Sequence, residues 1–154
     1  MLTMPALAGR LDDDGDGKRA HGVWSYLPAT APVIEPVGPH TFMKISDTGD
    51  WSGTISGYAA DFGEVVVHES GPWYYFGTVP LESATVNGRT GMLLITVFGS
   101  RPDVITDWEG TWEIVSGTGE LADLQGHGTW EGAGWQGDPE VPGEVTYEGR
   151  IKFK

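Results

Sequence analysis

Near the C-terminus, Val145, Tyr147, Gly149, Ile151 and Phe153 alternate with Thr146, Glu148, Arg150 and Lys152. Such alternation of apolar and polar residues marks a strand with one buried face. Asp107 to Val115 repeats the pattern, with Trp108, Gly110, Trp112 and Ile114 on one side and Asp107, Glu109, Thr111 and Glu113 on the other. Further strands are predicted over Val23–Leu27, His40–Asp47, Trp51–Tyr58, Gly63–Glu69, Trp73–Leu81, Met92–Phe98 and Gly128–Trp135. Turn residues separate them: Thr48-Gly49-Asp50, Ser70-Gly71-Pro72, Asn87-Gly88 and Ser116-Gly117-Thr118-Gly119. No stretch long enough for a regular helix follows a helical period, and Glu120 to Leu124 suits at most a single turn.

Consecutive short strands separated by turn signals predict an all-β domain. A sheet closed on itself leaves no exposed edge, which favours a single antiparallel barrel of about eight strands over a sandwich. The barrel is expected over residues 21–154, behind an acidic N-terminal tail of residues 1–20. Trp73 to Val79 and Met92 to Phe98 are apolar on both faces. A monomeric barrel prefers one of those faces polar, so we expect either a homodimer or higher homo-oligomer, or the Pro28–Pro39 arm lying across the outer face.

Composition narrows the function classes. The 154 residues carry 22 acidic and 9 basic side chains, a formal net charge of -13, which disfavours a nucleic-acid partner because phosphate binding rests on clustered basic groups. The longest apolar run is short of a membrane span, and Met1 to Arg10 lacks the pattern of a secretory signal. The absence of cysteine removes disulfides and thiolate chemistry and fits a cytoplasmic protein. Asp12-x-Asp14-x-Asp16-Gly17 copies the start of a calcium loop, but its twelfth position is Val23 where a bidentate Glu is needed. The four histidines, at 21, 40, 68 and 127, show no metal-ligand spacing. There is no nucleophile elbow, phosphate loop or nucleotide fingerprint, and no cofactor is expected.

The remaining chemistry is aromatic. Seven tryptophans and five tyrosines are many for one small domain, and strand parity turns Tyr75, Trp108, Trp112, Trp130 and Tyr147 inward, with Trp51 as a further candidate lining residue. Either these rings fill the barrel, as in most small barrels, or the inward glycines at 53, 57, 77, 110, 128, 132 and 149 free enough volume for a ligand pocket. Glu69 shares parity with Val65 and Val67: inside, desolvation would suit it to acid–base work, whereas at the rim it would simply face water. Arg89, beside Asn87-Gly88, is placed either to hold an anionic substrate group or to serve as a plain turn residue.

Two segments carry a resemblance. Trp73-Tyr74-Tyr75-Phe76, leading through Asn87-Gly88 to a long apolar strand, precedes Gly117-Thr118-Gly119-Glu120-Leu121-Ala122-Asp123-Leu124-Gln125-Gly126 and then Trp130. The second stretch resembles the G-x-G-x-L-x-x-L-x-G segment of small bacterial proteins of unknown function with the allene oxide cyclase-like barrel. The order of features is also similar to that of the spirotetronate cyclases, cofactor-free enzymes that fold a polyketide for an intramolecular [4+2] cycloaddition. That resemblance implies substrate-lining roles for Tyr75 and Trp130. The segments between these landmarks match loosely, and residues before His21 have no counterpart. A shared fold does not carry a shared reaction.

Three functions stay open. The first is a cofactor-independent cyclase or isomerase for a hydrophobic, flexible small molecule, with Tyr75 polarising a carbonyl and Trp112 and Trp130 shaping the walls. The second is a non-catalytic, lipocalin-like small-molecule carrier. The third is a filled barrel that works through its outer face.

Overall fold

The computed structural model describes residues 17–154. Within them the chain forms nine strands: β1 (Lys18–Pro28), β2 (Val33–Val37), β3 (His40–Gly53), β4 (Ile55–His68), β5 (Trp73–Val86), β6 (Arg89–Arg101), β7 (Trp108–Gly117), β8 (Leu124–Gly134) and β9 (Gly143–Phe153). From β3 to β9 each strand pairs antiparallel with the next, and β1 closes the ring by pairing with β9 on one side and β3 on the other. Eight strands thus make the closed barrel expected from the sequence. The ninth, β2, pairs only with the start of β3, from Val33 opposite Lys44 to Val37 opposite His40. No helix among the described residues is long and apolar enough to cross a membrane.

Several local expectations change. Asn87-Gly88 does make the β5–β6 hairpin, with both residues at positive φ (52° and 79°). Thr48-Gly49-Asp50 makes no turn and lies inside β3. Gly49 faces Tyr26 across the β1–β3 seam, where a methyl group would overlap the Ser25 carbonyl oxygen. It is there for close approach, and the reversal falls at Gly53 (φ 94°), splitting the strand predicted over Trp51–Tyr58. β1 runs from Lys18 to Pro28, longer at both ends than the strand predicted over Val23–Leu27 and starting ahead of the barrel boundary expected at His21, and Ala20 is fully buried. The calcium-like run Asp12-x-Asp14-x-Asp16 lies outside the described residues.

The Pro28–Pro39 arm does not lie across β5 and β6, because β2 is held at the edge of β3. The outer face of β4–β6 therefore shows Phe62, Phe76, Met92 and Phe98 to solvent, with the Phe76 and Phe98 rings 5.0 Å apart. The Pro-rich segment finds its hydrogen-bonding partners sideways on β3, and among the described residues that face is uncovered.

Inside, parity follows the sequence pattern. One end is sealed by aliphatic side chains, Ile55, Val86, Leu93, Leu124 and Ile151, under a single 3-10 turn at Gly119–Leu121 that buries Leu121. The middle is filled by Trp51, Trp112 and Tyr147. Many of the inward glycines leave no void, because aromatic rings lie flat across them. Gly128 pairs with Gly149 across β8–β9, and the Trp112 indole occupies the space both lack, donating from Nε1 to the Glu148 carbonyl at 3.0 Å. Gly99 pairs with Gly110 across β6–β7, and the Trp130 indole covers both, its Nε1 shared between the Phe98 and Thr111 carbonyls at 3.1 Å. A flat ring over two facing glycines restores packing that the missing side chains would otherwise forfeit.

Candidate functional site

A cavity of about 160 Å³ remains at the barrel end away from the 3-10 turn, and it opens to solvent. Its walls are aromatic, with Trp24, Trp73, Trp108 and Trp130 among them, and its polar groups include Asp47, Asp61, Tyr26, Tyr75 and Arg101. Asp47 of β3 and Asp61 of β4 stand directly opposite each other in register, both facing inward and both buried, at 7% and 1% exposure. Buried aspartates are rare unless they are partnered. Here the partner is Tyr75, whose hydroxyl donates to Asp61 Oδ2, while Asp61 Oδ1 is shut from solvent without a hydrogen bond.

The local sequence explains how Tyr75 reaches that far. Gly63 of β4 faces Gly77 of β5, two residues along from the Val65–Tyr75 pair. With no Cβ on either glycine, the Tyr75 ring lies across both and its hydroxyl arrives beside Asp61. A methyl group on Gly77 would overlap that hydroxyl and come within 2.6 Å of Asp61 Oδ1. Trp108 and Trp130 meet the Tyr75 ring edge-on at 6.2 Å and fix its other side.

Burial governs the electrostatics. It pushes the Asp61 carboxyl up from 3.8 to about 7; the Tyr75 hydrogen bond opposes the rise and the charge of Asp47 adds to it. Burial alone raises Asp47 to about 6. Tyr75 is held well above the ordinary phenol value by burial and by the Asp61 carboxylate, so it keeps its proton. At the mouth, Arg101 lies against Trp73 (4.2 Å) and Trp108 (4.8 Å), and burial draws its guanidinium below its ordinary value. It stays charged, since arginine does not lose its proton in proteins.

The residues singled out from sequence divide into three groups. Tyr75, Trp108 and Trp130 line the cavity. Trp51, Trp112 and Tyr147 do not: they pack the middle of the barrel beneath it. The Tyr147 hydroxyl accepts from the Ile55 N–H at 3.0 Å and lies 2.9 Å from the Ser52 carbonyl it can donate to, a structural tie across the barrel. Glu69 and Arg89 lie outside altogether. Glu69 falls beyond the end of β4, where its backbone N–H bonds to Pro39 and its side chain faces solvent, so the inward parity of Val65 and Val67 stops short of it. Arg89 is exposed at the sealed end and lies over Phe153 at 4.0 Å, away from the cavity, as the plain turn-residue alternative has it rather than the substrate-holding one.

Asp47, Asp61 and Arg101 were missed, although parity reaches all three. Val67 and Val65 lead back through Gly63 to Asp61; Met43 and Ile45 lead on to Asp47; Leu93, Ile95, Val97 and Gly99 lead on to Arg101.

No family model matches this chain, and no curated protein does. Among solved structures, its fold is similar to that of a protein of unknown function from the DUF3224 family of Shewanella oneidensis MR-1. The TM-score is 0.65 at 16% sequence identity, over 90% of this chain and 98% of that one. At that identity the likeness carries the barrel and nothing of its chemistry.

Proposed function

We propose that this barrel is a cofactor-independent isomerase or cyclase that moves a proton on a small, largely apolar molecule, with Asp61 as the acid–base group and Tyr75 as its positioning partner. The observation that carries the reading is a buried carboxyl, oriented by a tyrosine, in the wall of an aromatic cavity open to solvent. A general base works best when its pKa lies near the working pH, and burial moves Asp61 to that range. The roles differ from those expected from sequence. The Tyr75 hydroxyl donates its hydrogen bond to Asp61, so Tyr75 does not polarise a substrate carbonyl while that bond is made.

The size of the cavity bears on the substrate. A dry cavity of about 150 Å³ admits benzene, so about 160 Å³ holds one ring-sized group. A longer chain, including a polyketide of the kind the spirotetronate cyclases fold, would have to extend through the mouth. A non-catalytic carrier is the second reading, favoured by the commitment of the Tyr75 proton to Asp61, which leaves fewer donors for a developing oxyanion. We also propose homodimer formation, through the exposed Phe62, Phe76 and Phe98. Light scattering on the parent and on Phe76→Asp would show a dimer reduced to a monomer, or a monomer throughout if the proposal is wrong.

The catalytic reading is tested by proton exchange, which needs no known substrate. Small cyclic ketones and enones are incubated with the protein in deuterated buffer, and deuterium entry at the carbon next to the carbonyl is followed by NMR. Exchange faster than buffer with the parent and abolished in Asp61→Asn is the expected result. Binding without exchange would establish the carrier instead.

A further inference from the structure

We infer that the molecule this pocket takes is a small monocarboxylate, held by its carboxylate on Arg101 at the mouth with its apolar body directed inward to Asp61. This rests on the reading of the cavity as a small-molecule site and goes beyond it by naming the ligand class. Arg101 is the one basic residue among those lining the cavity. It arrives there because β6 alternates without interruption from Leu93 to its last residue, and Gly99 before it leaves room for the Trp130 ring.

Its surroundings hold the guanidinium in place yet leave its donors free. The guanidinium carbon lies 4.2 Å from the centre of the Trp73 ring and 4.8 Å from that of Trp108, contacts that hold it by cation–π attraction and use none of its N–H donors as hydrogen bonds. Of its five N–H donors, one is used, from Nη1 to the Val104 carbonyl at 3.3 Å. Nε is shut from solvent and hydrogen-bonds nothing. Among the described residues no carboxylate forms an ion pair with it: the ion pair there joins Arg19 to Glu148. The nearest acidic residue in sequence, Asp103, acts on Arg101 through its charge but forms no ion pair with it: its Oδ1 accepts from the backbone N–H groups of Ile105 and Thr106. A partly buried, charged fork with unspent donors is matched by a carboxylate, which can accept two parallel hydrogen bonds from it.

The floor of the cavity agrees with an anion at the mouth. Two ionised aspartates would repel it, but burial favours the neutral form of both. The groups around Asp61 are Tyr75 from β5 and Asp47 from β3, with Tyr26 of β1 and Arg101 of β6 lining the same space. While the carboxyls keep their protons, Arg101 is the full charge in the pocket. As the pH rises through about 6 and then about 7, Asp47 and then Asp61 ionise and binding of an anion weakens.

Three ring-sized probes of different charge test this: benzoate, benzamide and benzylamine, each titrated by ligand-observed NMR at pH 6 and pH 8.5. With the parent at pH 6, benzoate should bind at least about tenfold more tightly than benzamide, because a charge-assisted pair of hydrogen bonds is roughly twice as strong as its neutral counterpart. The preference should vanish in Arg101→Gln and be reduced in Arg101→Lys, which keeps the charge and loses the fork, while benzamide binding persists in both. Benzoate affinity should fall between pH 6 and 8.5 in the parent and fall less in Asp61→Asn. Benzylamine binding most tightly, or benzoate binding no better than benzamide, would overturn the inference from the parent alone. If benzamide binds and deuterium exchange survives, only the carboxylate assignment is lost; if no probe binds and no exchange occurs, the reading of the cavity as a small-molecule site is lost with it.

Discussion

Replacing Asp61 with asparagine should make the protein more stable at pH 8 than the parent, relative to the two at pH 4. In the native state the Asp61 carboxyl is raised from 3.8 to about 7. Between those values the folded protein holds a proton that the unfolded chain has released, so stability falls as the pH climbs from about 4 and levels off above about 7. At about 1.4 kcal/mol per pH unit, this amounts to about 4 kcal/mol at most for Asp61, with Asp47 contributing a similar loss that ends near pH 6. The substituted side chain has no carboxyl to ionise, so in Asp61→Asn only the Asp47 part should remain. The constant cost of weakening the Tyr75 hydrogen bond, about 1 kcal/mol, lowers the whole curve without changing its slope. Urea unfolding from pH 4 to 8.5 measures the difference directly. Tyr75→Phe supplies the opposite control: the hydrogen bond it removes favours the carboxylate, so in that variant the loss of stability should extend to higher pH than in the parent. Parallel profiles for parent and Asp61→Asn would refute the reasoning, because they would show Asp61 ionised at its ordinary value.

Other substitutions separate the site from its scaffold. Gly77→Ala places a methyl group on the Tyr75 hydroxyl and should break its bond to Asp61, costing about 1–3 kcal/mol and raising the pH at which Asp61 ionises, both readable from the same urea series. Tyr147→Phe removes a hydroxyl tied to Ile55 and Ser52 and should cost about 1–3 kcal/mol in thermal or urea unfolding while leaving probe binding unchanged. Glu69→Gln and Arg89→Ala should leave probe binding and deuterium exchange at parent values; a large loss in either would mean that the rim and the sealed end take part.

Strand parity made the barrel and its aromatic interior legible, since Trp108, Trp112, Trp130, Tyr75 and Tyr147 all point inward as their alternation requires. What parity does not carry is depth along the barrel axis. Trp112 and Trp130 look equivalent on neighbouring strands, yet Trp112 packs the middle and Trp130 the cavity wall, because register sets their height. The same blindness moved attention to Glu69, an inward-parity residue past the strand's end. Asp61 escaped because the strand was predicted to begin at Gly63, although β4 runs from Ile55 and its buried positions Ile55, Ala59, Asp61 and Val65 keep one parity throughout. The glycines suggested missing volume. Their role emerges only from cross-strand pairing, which sets Gly63 against Gly77 and Gly99 against Gly110 so that Tyr75 and Trp130 can lie flat across them. Gly49 shows the reverse case, a turn-like residue used for close approach within a strand.

Everything proposed for the site depends on Asp61 being an acid–base group accessible to a small molecule. Carbon-13 NMR of the aspartate carboxyl carbons, titrated with and without benzamide and assigned by its loss in Asp61→Asn, tests this most directly. The expected result is a resonance with a midpoint near pH 7 that shifts when benzamide binds. An Asp61 carboxyl that titrates near 3.8, and is indifferent to every probe, would contradict it.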